Sequence, residues 1–372
     1  MSQKIGKPRI VVKSVSIHMT RYFDWLITGL GILSELGEIE PVKFDLEPIN
    51  RVLASNPTLR SALRRAMPRT FSELNQRSQY LNGEFWLGDR KVRFVFDISD
   101  DPVWFDVGQL EETDIYFKAQ YYSTFPGDFA FTSKLTRNPS KAVVALQDKV
   151  KPAMLGRPLA RRLDWRANLR VLKKWEEARH VQKSKTIFAY FGGVRESEMQ
   201  ITSDKRGRYQ HPNAKRGEIV RRLRAWNDER VDARLISAPD ASLCGPAIPN
   251  DAKYAEHVSR ASYNVNITGL ERSIPFRFID SFITGTMIAT DNLNVNWYAP
   301  FDDQAEVIQL GEMGYELPED VAWDSAMSKM RSLHEHAQEH AEERKRYVLD
   351  RYQSLWSPEA FARYVVATLQ KL

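Results

Sequence analysis

Apolar and polar positions in this chain switch between two periods, with compact β-type runs followed by stretches of helical spacing. RIVVKSVSI (9–17) is a strand run, and Arg21 to Leu36 has helical spacing closed by Gly37. EPVKFDL (40–46) reads as a second strand, so the chain opens as βαβ. Residues 54–80 are polar and helical. GEFWLGDRKVRFVFDIS (83–99) reads as a hairpin turning at Gly88-Asp89 and ending in a buried strand. ETDIYFKAQYY (112–122) and SKAVVALQDKV (140–150) read as two further strands.

The second half repeats the alternation. KTIFAYF (185–191) is a compact strand, residues 255–262 are helical, and Tyr263 to Ile267 alternates and is rich in β-formers. Phe276 to Thr284 has helical spacing stopped by Gly285, and TMIAT (286–290) is the next buried strand. Residues 325–356 form a long charged helix or helix pair, and Ser357-Pro358-Glu359 starts a last helix by N-cap and first-position rules. Strands alternating with helices in both halves predict two α/β domains, with the boundary in 150–183.

At 372 residues the chain accommodates two domains, each with its own core. With 42% apolar and 27% charged residues it has a globular composition. No apolar run approaches the roughly 20 residues of a membrane span; FDWLITGLGIL, the best, is short and carries Asp24. The basic N-terminus enters a strand rather than the apolar core of a signal peptide. The single cysteine, Cys244, excludes a disulfide framework and a Cys-rich zinc site, and a cytoplasmic location is the default expectation.

The net charge of +6 is unevenly spread. Residues 157–185 hold ten Lys or Arg against three acids, and residues 204–224 hold eight against two. Such patches attract phosphates of nucleic acid, anionic lipid or sugar nucleotide. The first patch spaces Leu159, Leu163, Trp165, Leu169, Leu172 and Trp175 as an amphipathic helix, which either lies on a membrane surface or packs its apolar stripe inward as an interdomain helix. Nucleic acid is disfavoured as a partner, because no recognisable binding module accompanies the patches. His334, His336 and His340 include an i, i+4 pair, but no acid or cysteine constellation joins them, and they read as a solvated charged face.

Candidate chemistry concentrates in 269–285. Arg272 and Arg277 bracket a loop, and Pro275, taken as the first helical residue, leaves backbone N–H groups for an anion. Asp280 follows Arg277 by one helical turn, as a ribose-binding carboxylate or as a salt-bridge partner. The pattern R277-x-x-D280-S-x-x-x-G285-x-M-I288 resembles the donor-site motif of GT-B glycosyltransferases, and the exostosin-like branch shares an arginine three residues before the acid. The resemblance implies that Asp280 binds the ribose of a nucleotide-sugar and that Arg272 and Arg277 bind its diphosphate. The usual glutamate is here Asp280, and Arg272 stands where retaining relatives with an E-x7-E pair carry an acid. The strand 185–191 ends in Gly192-Gly193-Val194-Arg195, similar to the glycine turn that opens the nucleotide-binding domain of that family. Its glycines allow backbone to approach phosphate and Arg195 adds charge.

The resemblance implies two Rossmann-like domains facing a central cleft, with C-terminal helices crossing back. The corresponding division is an acceptor-side domain over 1–155, a basic linker helix over 156–183, a nucleotide-sugar domain over 184–345 and returning helices over 346–372. No D-x-D metal motif occurs, so no metal or cofactor is expected and arginines neutralise the leaving diphosphate. A base for the acceptor hydroxyl is expected at the strand ends of the first domain, from His18, Asp24 or Asp100. Lys118, Tyr121 and Tyr122 are placed to contact an acceptor sugar. The expected activity is glycosyl transfer from a nucleotide-sugar to a saccharide or lipid-linked acceptor in surface polysaccharide or glycolipid synthesis, with peripheral contact at an anionic membrane face. A nucleotide-sugar epimerase of similar fold and a basic nucleic-acid-binding protein are the alternatives.

Overall fold

The computed structural model describes residues 6–15, 20–47, 52–53, 56–67, 80–102, 104–122, 124–126, 140–160, 163–195, 212–269, 272–303, 305–311, 313 and 319–372. Among these, β1 (Arg9–Val15), β2 (Lys43–Phe44), β3 (Tyr80–Leu87), β4 (Arg90–Asp97), β5 (Ile115–Lys118), β6 (Tyr121–Tyr122) and β7 (Val150–Pro152) form the first half. Six of them make a sheet in the order β2-β1-β3-β4-β5-β7. The β1/β2, β4/β5 and β5/β7 pairs are parallel, whereas β3 lies antiparallel to both β1 and β4. The β3–β4 hairpin turns at Gly88-Asp89 as expected. The second half contributes β8 (Lys185–Phe191), β9 (Val231–Leu235), β10 (Ala261–Val265), β11 (Met287–Thr290), β12 (Val295–Asn296) and β13 (Val307–Gln309). Its sheet, ordered β13-β11-β10-β8-β9, is parallel throughout.

The helices of the first half are α1 (Thr20–Glu35), α2 (Pro57–Ala66), α3 (Val107–Glu112) and α4 (Lys141–Ala145), and α5 (Trp165–Glu177) joins the two sheets. The second half carries α6 (Pro212–Arg224), α7 (Asp251–Arg260), α8 (Arg277–Thr284), α9 (Glu319–Glu335), α10 (Ala341–Arg351) and α11 (Pro358–Gln370). This is a two-sheet α/β architecture whose last helix returns to the first half. The Ser357 side chain caps α11 by accepting from the Ala360 N–H. Gly29 lets α1 and α11 meet, since a Cβ there would lie 1.9 Å from the Pro358 carbonyl oxygen. The Trp25 indole donates to the Trp356 carbonyl at 3.0 Å, and the Tyr364 hydroxyl donates to that of Pro152 at 2.7 Å.

One apolar core runs through both halves, from Ile10, Phe23 and Phe94 to Phe278, Trp297 and Trp356. A second lies on the other face of the parallel sheet, between Ile187, Phe191 and Val265 and the helical residues Ile219, Leu223 and Trp323. The amphipathic stripe of α5 packs inward: Leu172 and Trp175 are buried, and Leu163, Trp165 and Leu169 rest against the core. No described helix is long and apolar enough to cross a membrane.

Several local expectations are corrected. The 140–150 stretch begins as helix α4, because the Ser140 hydroxyl accepts from the Val143 N–H and starts a helical turn; only Val150–Pro152 joins the sheet. The second strand shrinks to Lys43–Phe44. The Tyr121–Tyr122 pair leaves the run of β5 and forms a two-stranded ladder with β12 of the second half. His334 is no part of a solvated face: it is 2% exposed, with the Thr186 hydroxyl at its Nδ1 and Asp228 at its Nε2.

Candidate active site

The carboxyl ends of the parallel strands collect the chemistry of the second half. After β8 the chain turns through Gly192-Gly193, and the Val194 N–H donates to the Ser237 carbonyl at 2.8 Å beside β9. A Cβ on Gly193 would lie 2.4 Å from the Ser237 hydroxyl, which would have to rotate away, while Gly192 faces open space. Arg195 extends from the turn and is exposed. After β10 the loop closes on itself, with the Arg272 N–H donating to the Gly269 carbonyl and the Gly269 N–H to that of Ser273. Arg272 pays a backbone cost for this turn, with φ of 52°, and its guanidinium donates to Asn294 Oδ1 at 3.1 Å.

Sequence reasoning missed the most buried polar constellation here. Asp291, directly after β11, accepts from Lys215 Nζ at 2.7 Å, the Thr268 N–H at 2.9 Å and the Thr268 hydroxyl at 2.8 Å. Burial pushes the Asp291 carboxyl up, but Lys215 and the Thr268 donors outweigh it and hold the group below its ordinary range. Lys215 lies in the first turn of α6, and next to it Arg216 sits 5.9 Å over the Phe191 ring and donates to Asn213 at 2.7 Å. The available signal was the acid closing TMIATD, a polar group placed at a buried strand's carboxyl end. Asn266, 1% exposed, has an amide nitrogen without a partner among the described residues. The elements meeting at this edge thus carry Arg195, Lys215, Arg216, Arg272 and Arg277.

Helix α8 differs from its sequence reading. It begins at Arg277 after an N-cap at Phe276, so Pro275 lies outside it. Two of its first-turn N–H groups are already used, Phe278 donating to the Pro275 carbonyl and Ile279 to that of Phe276. Gly285 ends it in the left-handed conformation, as expected. Asp280 is 1% exposed, and its partner comes from the segment between the sheets: Arg157 Nε donates to Asp280 Oδ1 at 2.5 Å. Arg157 lies 3.6 Å over the Trp175 ring and also donates to the Pro158 carbonyl. Burial raises the Asp280 carboxyl above its ordinary range against the pull of Arg157 and, more weakly, Arg277. In this structure Asp280 therefore holds an arginine and is not presented to a ligand.

On the first half's side, His18 lies outside the described residues. Asp24 is fully buried on α1 and accepts from the Leu159 N–H at 2.9 Å, which makes it a tether for the interdomain segment rather than a group facing solvent. Asp100 is exposed just beyond β4. Lys118 is fully buried, and its ammonium donates to Asp97 at 2.7 Å, Ser99 at 2.6 Å and the Trp104 carbonyl at 2.9 Å, which uses all three of its protons. The expected acceptor contact at Lys118 gives way to this internal pair, which follows from Asp97 and Lys118 being in register on β4 and β5. Tyr122 is buried and Tyr121 partly so, its ring 5.6 Å from that of Phe125. Beside them Gln120 spans the halves: its amide accepts from the Ile274 N–H at 2.9 Å and donates to the Ile274 carbonyl at 3.1 Å. The structure thus joins β5–β6 to the 272–275 loop, and leaves Asp24 and Lys118 fully buried.

No protein-family model matches the chain, and no curated protein matches it in sequence. Among solved structures, the catalytic domain of starch synthase IV from Arabidopsis thaliana bound to ADP and acarbose is similar at a TM-score of 0.37 and 10% identity, covering 71% of this chain and 57% of that one. The chain therefore spans little more than half the length of that domain. HepE of Anabaena in complex with UDP is similar at a TM-score of 0.38 and 7% identity, over 97% of this chain and 99% of that one. A glycosyltransferase from Rickettsia africae ESF-5 is similar at a TM-score of 0.36 and 12% identity, over 98% of this chain and 97% of that one.

Proposed function

We propose that the chain is a glycosyltransferase that takes a sugar from a nucleotide-sugar, with the donor diphosphate lying along the carboxyl edge of the parallel sheet. The observation that carries this reading is the convergence there of a Gly192-Gly193 turn with elements bearing Arg195, Lys215, Arg216, Arg272 and Arg277. Ligands of open parallel α/β sheets bind at that edge, and glycine turns with convergent cations suit phosphate oxygens. Glycosyl transfer places charge on the departing diphosphate, and fixed guanidinium groups stabilise it as it develops. This reading assigns charge neutralisation to arginine, without a metal. The strand ends of the first half, with Asp100 exposed among them, supply the acceptor side and the base. The acceptor is a saccharide or lipid-linked saccharide of surface polysaccharide or glycolipid synthesis, reached from the cytoplasmic face.

The test is a thermal-shift and calorimetric panel of UDP, GDP, CMP, dTDP and ADP, followed by Arg272→Ala and Arg277→Ala. Stabilisation by one nucleoside diphosphate, lost in both variants with the fold intact, supports the reading. No response to any of the five, or full binding in both variants, overturns it.

A further inference from the structure

We propose that a small cavity at the amino ends of β8, β10 and β11 binds a single monatomic anion such as chloride. The cavity encloses about 10 Å³, room for one water-sized occupant and too little for a phosphate or sulfate. Lys183 lies just before β8, Ser262 and Tyr263 stand near the start of β10, Met287 opens β11, and Arg344 and Lys345 reach the cavity from α10. This is the opposite end of the sheet from the Gly192-Gly193 turn, so the site is separate from the donor edge and does not depend on the proposed reaction.

Three cations meet here, and none of the residues lining the cavity is an acid. The Lys183 ammonium is fixed by the Ser259 and Ala261 carbonyls at 3.1 and 2.5 Å and by the Thr286 hydroxyl at 3.1 Å. Burial, and then the neighbouring charge of Lys345, push its pKa down to about 7, against a weaker pull from Glu342. Arg344 is oriented by the Tyr263 hydroxyl, to which it donates at 3.2 Å. Ser262 is 7% exposed, and its hydroxyl has no partner among the described residues. Helix α10 starts at Ala341, another lining residue, after His340 and without a side-chain cap, so the positive end of its dipole adds to the site. A water would need acceptors for its own protons, whereas Ser262, Arg344 and Lys345 have protons to donate. An anion accepts them and relieves the repulsion between Lys345 and Lys183. Bound there, it ties the starts of β8, β10 and α10 together.

Thermal unfolding of the full chain at pH 6, where Lys183 is charged, in sodium chloride against sodium gluconate at matched ionic strength tests the proposal. Chloride is expected to raise the midpoint in a saturating way, and gluconate is not. Lys345→Met keeps the stem that packs beside Gly285 and removes the charge, and Ser262→Ala removes the unpartnered hydroxyl. Each should lower the apparent chloride affinity about tenfold. Because Lys345→Met also ends the repulsion on Lys183, its midpoint in gluconate should not fall, which separates loss of the ion from loss of the fold. In bromide-soaked crystals an anomalous peak is expected beside Ser262 and Lys345. Equal midpoints in the two salts, a chloride effect unchanged in both variants, or a cavity holding water and no bromide overturns the inference.

Discussion

Arg157 and Asp280, 123 residues apart, form a buried ion pair with Nε donating to Oδ1 at 2.5 Å, and the guanidinium carbon lies 3.6 Å over the Trp175 ring. The pair fastens the segment between the sheets to α8, the helix whose sequence resembles a donor-site motif. Removing one member of a buried pair strands the other charge, so Asp280→Ala should cost about 3–5 kcal/mol, read as a lowered urea midpoint. Arg157→Met with Asp280→Leu should recover most of that loss, since apolar replacement of both partners is often neutral. A ribose-binding Asp280 would behave differently, losing nucleotide affinity in Asp280→Ala at unchanged stability.

The Lys215–Asp291 pair gives a pH signature. The folded pKa of Asp291 lies below its unfolded value, so its contribution is present above the ordinary carboxylate range and is lost as pH falls through the folded pKa. Asp291→Asn should therefore flatten the acid limb of the stability profile below about pH 4, measured by urea melts at successive pH values. An unchanged acid limb would remove Asp291 from the account.

Gly193 is constrained by one atom. Gly193→Ala brings a Cβ to 2.4 Å from the Ser237 hydroxyl, and turning that hydroxyl away should cost about 0.5–1.5 kcal/mol. Ser237→Ala in the same chain deletes the clashing oxygen, so the double variant should regain much of the loss in thermal melts. Equal destabilisation in single and double variants would place the strain elsewhere.

Gln120 both donates to and accepts from the backbone of Ile274. Gln120→Glu substitutes an acceptor for the donor facing the Ile274 carbonyl and should cost about 1–3 kcal/mol. Because that loop carries Arg272, affinity for the nucleoside diphosphate should fall as well, measured by calorimetry. Unaltered affinity in a destabilised variant would separate the clamp from the site.

Much of the fold was legible from local signals. The β3–β4 hairpin followed from Gly88-Asp89, β8 and β11 from compact apolar runs, the C-terminal end of α8 from Gly285 and the start of α11 from Ser357-Pro358. The misreadings have physical causes. VVAL after Ser140 reads as a strand until the serine hydroxyl caps a helical turn. Lys118 and Tyr122 read as exposed because charge and hydroxyl groups usually are, yet β5 is buried on both faces and Tyr122 is buried where β6 pairs with β12.

The sequence alone determined what nearest neighbours and backbone chemistry control: the alternation of periods, the caps, the glycine turn after β8 and the basic patches over 157–185 and 204–224. It offered Asp280 only the partners at helical spacing, Arg277 foremost. Tertiary structure decided the partner, Arg157, as it decided Lys215 for Asp291 and Asp97 for Lys118. It also decided that α5 hides its apolar stripe while α2 leaves apolar residues in water. Such choices depend on which strands the topology sets side by side, and a buried charge takes whichever opposite charge that packing delivers within hydrogen-bonding distance.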